Sequence, residues 1–145
     1  MIHLWRDLSP GAQAPEMVTA IIEIPRGSRN KYELDKESGL LRLDRVLYSA
    51  VHYPGDYGFI PRTLHEDGDP LDILVAIDEP TFPGCLMDVR PIGVLRMLDR
   101  GEPDDKIVAV GANDPRRGEY FDIADLPQHF LKEVEHFFSI YKDLE

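Results

Sequence analysis

The chain has 145 residues, 43% of them apolar and 30% charged, which suits one domain with a buried core and is unlike a disordered polymer. Its net charge of −11, from 27 acidic and 16 basic residues, comes with no block of Lys or Arg, so the basic surface that a nucleic-acid partner needs is excluded. No apolar run reaches membrane-spanning length, Met1–Asp7 lacks a secretion-signal pattern, and the single Cys85 excludes an internal disulfide framework and a Cys-rich zinc site. No membrane partner is therefore expected, and the cytoplasm is the expected compartment.

In chain order, residues 1–17 read as an N-terminal arm, irregular and rich in Pro, Gly and Ala over 6–17. Residues 18–145 read as one domain, with no repeat or linker to divide them. Val18–Ile24 alternates and is β-branched, as a strand does, and Pro25 stops it. Lys31–Asp35 and Leu40–Tyr48 flank the turn Lys36-Glu37-Ser38-Gly39 and predict a hairpin. Tyr53–Ile60 reads as turn-rich. Asp72–Ile77, Leu86–Leu98 and Lys106–Val110 read as further strands, the last two separated by the polar Asp99–Asp105. Helix signals are confined to the C-terminal part: Asp125 as cap with Gln128 three later, Pro127 in the first turn, and apolar residues at 126, 130, 134, 137, 138 and 141. The expected fold is mainly β (α+β): a small, OB-like closed β-barrel with flanking helices, including a C-terminal one.

The densest chemical signal is Asp67-Gly68-Asp69-Pro70-Leu71-Asp72. Three carboxylates in six residues need solvent, cations or protons to relieve their repulsion, and hard oxygen ligands favour Mg²⁺, Mn²⁺ or Ca²⁺ over Zn²⁺. Taken alone, the hexapeptide reads equally as a solvated acidic turn. An EF-hand loop is excluded, because Leu71 would fall at a ligand position and Asp72 where glycine is required. The acidic group Asp99–Asp105 alone reads as an exposed hairpin turn; beside the first cluster it suits a multi-carboxylate metal cage at one mouth of a barrel. Glu23 alternates with Ile22 and Ile24, and solvent exposure is its simplest reading. Lys31, Arg45, Lys106 and Lys142 are single cations, each ordinary alone, and Tyr53 and Tyr57 are phenols that could donate to phosphate oxygens or simply pack in the core. His129, Glu133 and His136 form a helical stripe beside the apolar face, which reads as solvated surface. Walker, dinucleotide-binding, zincin and nucleophile-elbow motifs are absent.

The order of these segments resembles the soluble inorganic pyrophosphatases built on a small β-barrel. The signature D-x-D-[PE]-x-D is met by Asp67, Asp69, Pro70 and Asp72. Glu23-Ile24-Pro25, Asn30-Lys31-Tyr32-Glu33, Leu43-Asp44-Arg45, Tyr53-Pro54 with Tyr57-Gly58, Arg90–Val94, Asp99 with Asp104 and Lys106, and His136–Glu145 follow in the family's order, so the resemblance covers about residues 18–145. It implies hydrolysis of pyrophosphate to two phosphates with several Mg²⁺ ions, Mn²⁺ being a substitute. It also implies a homo-oligomer, hexameric in prokaryotic members and dimeric in eukaryotic ones. It assigns Asp67, Asp72 and Asp104 to the tightest metal, with Asp72 bridging to a second. Asp99 and Asp104 match ligands of a metal that arrives with substrate, and Glu23 lies near a further one. Asp69 matches the residue that orients and deprotonates the attacking water, and Tyr57 a tyrosine near that water and the substrate. Lys31, Arg45, Lys106, Tyr141 and Lys142 match phosphate-binding positions; Glu33 and Tyr53 match residues supporting them. Members usually continue past the segment that ends at Glu145, which leaves Tyr141 and Lys142 where helices fray. A metal-dependent phosphate-ester hydrolase, and a cation- or phosphate-binding barrel without turnover, are the alternatives.

Overall fold

The computed structural model describes residues 1–145. Nine strands are present: β1 (Val18–Ile24), β2 (Asn30–Leu34), β3 (Leu41–Val46), β4 (Asp56–Ile60), β5 (Leu71–Ala76), β6 (Leu86–Leu95), β7 (Leu98–Asp99), β8 (Glu102–Pro103) and β9 (Lys106–Gly111). A single 3-10 turn over Ile123–Asp125 precedes the one α-helix, α1 (Gln128–Ile140). No helix is long and apolar enough to cross a membrane.

Five strands close into a barrel in the order β1-β4-β5-β9-β6. All its pairings are antiparallel except β5 with β9. Ala20, Ile22, Ile60, Ile73, Val75, Val89 and Ala109 come from all five strands and form one packed cluster, which is the barrel interior. Side chains alternate across each strand, so Ile21, Tyr57, Phe59, Asp72, Leu74, Lys106 and Val108 face outward. That outer face is buried too. The helix lays Val134, Phe137 and Phe138, with Tyr141 just beyond, against Ile24, Tyr53, Tyr57 and Leu74. Each such side chain, once fully buried, contributes about 1.5–3 kcal/mol.

Burial on both faces explains the main departures from the sequence reading. The segment expected to be turn-rich contains β4, buried at every residue and paired on both sides. Its Gly58 is required by packing: a Cβ there would run into the Ile21 carbonyl of β1. Glu23, expected in solvent, is 7% exposed, because the β2–β3 hairpin covers it; its carboxylate accepts a hydrogen bond from the Leu34 amide at 2.7 Å. The strand expected over Leu86–Leu98 stops at Leu95, and β7 then starts a small hairpin with β8 whose turn, Arg100 and Gly101, has φ of 53° and 81°. The helix cap is also displaced. Asp122 accepts from the Ala124 amide and forms a capping box with Asp125, so the signal belongs to the 3-10 turn, and α1 starts after Pro127 with no side-chain cap. The apolar spacing is right: Leu126, Val134, Phe137, Phe138 and Tyr141 are buried.

The arm has no helix or strand before Val18. It nevertheless packs Leu4, Trp5 and Leu8 beside Ile21, Leu34 and Phe59, and the Trp5 indole donates to the Thr63 carbonyl at 2.8 Å.

Candidate active site

A cavity of about 170 Å³ lies on the outer flank of the barrel, between β1, β4, β5, β9, the β2–β3 hairpin and the end of α1. The carboxylates lie around one end of the barrel, on its outer side, where β4 and β6 end and β5 and β9 begin. Asp72 and Lys106 come from strand faces, Asp67 and Asp69 from the β4–β5 turn, and Asp99 and Asp104 from the β7–β8 hairpin and the residue following it. Gly68 makes the first turn possible, with φ of 84°, while the Asp67 carboxylate accepts from the Asp69 amide at 2.9 Å and the Asp69 carbonyl accepts from His65 at 2.8 Å.

Of the residues singled out from the sequence, Glu23, Lys31, Glu33, Tyr53, Tyr57, Asp67, Asp69, Asp72, Asp99, Asp104, Lys106, Tyr141 and Lys142 all line this cavity. Arg45 does not. It is register partner to Lys31, and its guanidinium is bound to Asp44 and, at 2.8 Å, to Glu145. Between the adjacent Asp104 and Asp105, only Asp104 faces the cavity; Asp105 lies beside His65 and Arg96. His129 lies 3.6 Å from Glu133 on the exposed side of α1, and neither lines this cavity. Lys36 is a wall residue that the sequence reading passed over. It sits in the β2–β3 turn and its ammonium is ion-paired with Asp69. A single lysine in a polar turn carries no sequence signal of its own.

The centre of the site is Lys106, 2% exposed, whose ammonium donates to the Tyr57 hydroxyl at 2.7 Å and to Asp72 and Asp104 at 3.2 Å each. Burial alone would lower its pKa, but the two carboxylates outweigh that and raise it, so it stays charged. Burial raises the pKa of Asp72, with Lys106 and the nearby Tyr57 hydroxyl opposing. The Tyr57 hydroxyl, pushed well above its ordinary value by burial and then by Asp72, remains a donor. Tyr141 is pushed up to about 12, mainly by burial. Glu23 rises to about 8 by desolvation, despite its bond from Leu34. At the far edge Lys142 reaches Asp99 at 3.2 Å, and Lys31 lies 3.8 Å from Glu33 and 3.5 Å from Asp44. Tyr141 closes α1, its amide donating to the Phe137 carbonyl at 2.9 Å, so this end of the helix is packed rather than frayed.

No three carboxylates or imidazoles close on a common point. Hard carboxylate oxygens spread round a cavity, most of them near a lysine, suit cations that share their shells with water and substrate, as Mg²⁺ does, rather than one caged ion. The donor set fits a multi-ion Mg²⁺ site and is wrong for zinc, having no nitrogen or sulfur ligand at the cavity. A roomier groove of about 540 Å³, lined by Arg26, His52, Asp78, Arg117 and His136, gathers no comparable carboxylate set.

Known proteins match this arrangement along nearly the whole chain. A family model described as inorganic pyrophosphatase matches residues 20–145. Soluble inorganic pyrophosphatase 2 of Chlamydomonas reinhardtii is 56% identical over 143 residues, covering 99% of this chain and 74% of that protein. An inorganic pyrophosphatase of Haloferax volcanii is 49% identical over 145 residues, covering 100% and 82%. The crystal structure of inorganic pyrophosphatase from Thermus thermophilus superposes with a TM-score of 0.95 at 50% identity, covering 99% of this chain and 82% of that one. With the family model spanning most of the sequence and relatives this similar covering both arm and barrel, the chain belongs to the inorganic pyrophosphatase family.

Proposed function

We propose that this chain hydrolyses inorganic pyrophosphate to two orthophosphates in a Mg²⁺-dependent reaction with direct attack by water. The observation that supports this most is one cavity gathering Asp67, Asp69, Asp72, Asp99 and Asp104 together with Lys31, Lys106 and Lys142. An acidic pocket alone would repel a pyrophosphate anion, and a basic pocket alone would not hold cations.

Asp67, Asp72 and Asp104 would hold the tightest Mg²⁺, Asp99 with Asp104 a further one, and Glu23 would lie near another. Bound there, the ions neutralise the substrate's charge and make the attacking water easier to deprotonate. Asp69 takes the proton of that water as its oxygen forms a bond to one phosphorus and the bridging P–O bond breaks. Lys31, Lys142 and the Tyr141 hydroxyl hold phosphate oxygens in line for this displacement. Lys106 keeps Asp72 and Asp104 apart and offers charge to the phosphate that leaves. Tyr57, accepting from Lys106, fixes the ammonium between Asp72 and Asp104. Tyr53 and Glu33 support this wall, and Arg45 contributes from outside it by holding Glu145, three residues past Lys142.

The reading extends to a homo-oligomer, hexameric in a prokaryotic host, working in the cytoplasm, as the family resemblance implies. Phosphate release from pyrophosphate tests the central claim. Rapid release with Mg²⁺ and none with excess EDTA is expected; preference for ATP over pyrophosphate, or full activity in EDTA, would overturn it.

A further inference from the structure

We propose that Lys36 is a substrate-gripping residue that exchanges its ion pair with Asp69 for a phosphate oxygen when substrate enters the cavity. This rests on the function proposed above and deepens it.

The backbone that carries Lys36 is anchored. Within its turn the Ser38 hydroxyl donates to Asp35 at 2.6 Å and the Gly39 amide to the Asp35 carbonyl at 2.7 Å. From the N-terminal arm, the His3 ring lies 2.7 Å from the Lys36 carbonyl, and the Leu4 amide donates to the Gly39 carbonyl at 3.2 Å. The arm thus holds the turn against the barrel. Its ammonium, by contrast, is half in solvent and free to swing on a four-carbon stem.

Asp69 is the only carboxylate this ammonium meets, and Lys36 is the only side chain that meets the Asp69 carboxylate. The pair is weak, since both partners are about half exposed. Pyrophosphate, with several charges in one molecule, attracts the ammonium more strongly than one solvated carboxylate does. Transfer of Lys36 to a phosphate oxygen leaves Asp69 without its cation.

The test is calorimetric binding of imidodiphosphate, a non-hydrolysable analogue, at saturating Mg²⁺, with kinetics alongside. Lys36→Ala should weaken binding about tenfold and raise KM by a similar factor, the worth of one charge-assisted contact, while kcat falls far less. Lys36→Arg should restore most of the affinity. Asp69→Asn removes the competitor, so it should tighten analogue binding in the wild-type background by a larger factor than in the Lys36→Ala background. The charge removed is the same in both, so the difference isolates the exchange. Unchanged affinity in Lys36→Ala, or an equal gain from Asp69→Asn in both backgrounds, overturns the proposal. A wild-type protein that releases no phosphate from pyrophosphate would instead sink the reading on which it rests.

Discussion

Asp72 and Lys106 are register partners on the adjacent parallel strands β5 and β9, and their side chains meet at 3.2 Å on the outer face of the barrel. Sheet pairing, rather than the reach of a flexible side chain, therefore sets the ion pair at the centre of the site. Lys106→Met would leave Asp72 and Asp104 facing one another without a cation. In EDTA this should destabilise the fold by about 1–3 kcal/mol, the penalty for stranding a buried charged partner. Saturating Mg²⁺ should recover most of that loss, because cations can replace the missing charge. Urea denaturation under the two conditions checks it; equal losses in both would argue against cation binding at these carboxylates.

Asp69→Asn separates base from ligand. Asn keeps the shape and one carbonyl oxygen but cannot take the water's proton. Turnover should fall by about 10²–10⁴ while Mn²⁺ affinity changes little. Asp72→Asn should weaken Mn²⁺ binding itself, with activity partly recovered at high Mg²⁺. If extra metal rescues Asp69→Asn as well, Asp69 is a ligand and its assigned role is wrong.

Lys142→Ala should raise KM and lower kcat with an unchanged melting temperature, since its ammonium is partly exposed and paired only with Asp99. Steady-state kinetics and thermal melts of the same preparation check both halves. Unaltered kinetics would remove the chain end from the site.

Replacing Mg²⁺ with Ca²⁺ should preserve binding of imidodiphosphate and suppress phosphate release. Ca²⁺ accepts the same oxygens, but its larger and looser shell holds the reacting groups less strictly. Comparable steady-state rates with the two ions would contradict the mechanism.

Away from the site, the Asp78 carboxylate bridges Arg117 at 2.8 Å and Arg116 at 3.2 Å. The Arg117 guanidinium beside it holds its pKa below the ordinary 3.8, with desolvation opposing. A depressed native pKa means that the unfolded chain binds the proton more readily. Asp78 therefore stabilises the fold above about pH 4, and that contribution is lost as the pH falls further. Melting temperature should drop more steeply below pH 4 in the wild type than in Asp78→Asn. Parallel curves would show that the bridge is too well solvated to count.

The linear order of carboxylates and lysines, with the strands alternating around them, was enough to indicate a barrel of this family and every charged wall residue of the cavity except Lys36. These are local features: Asp67, Asp69 and Asp72 share one turn and one strand entry, and the apolar spacing of α1 records which of its faces is buried. What depended on residues distant in sequence was hidden. The burial of Glu23 is imposed by a hairpin packed over β1, and β4 looks like a turn because Gly58 serves a close approach to Ile21 that no local pattern announces. Lys36 meets Asp69, 33 positions away, only because the arm pins its turn against the barrel. Sequence by itself determined which charges this protein has and on which elements they ride. Tertiary structure alone decided which of them face each other, because ion pairing and burial depend on separation in space, and only the closed sheet sets that separation.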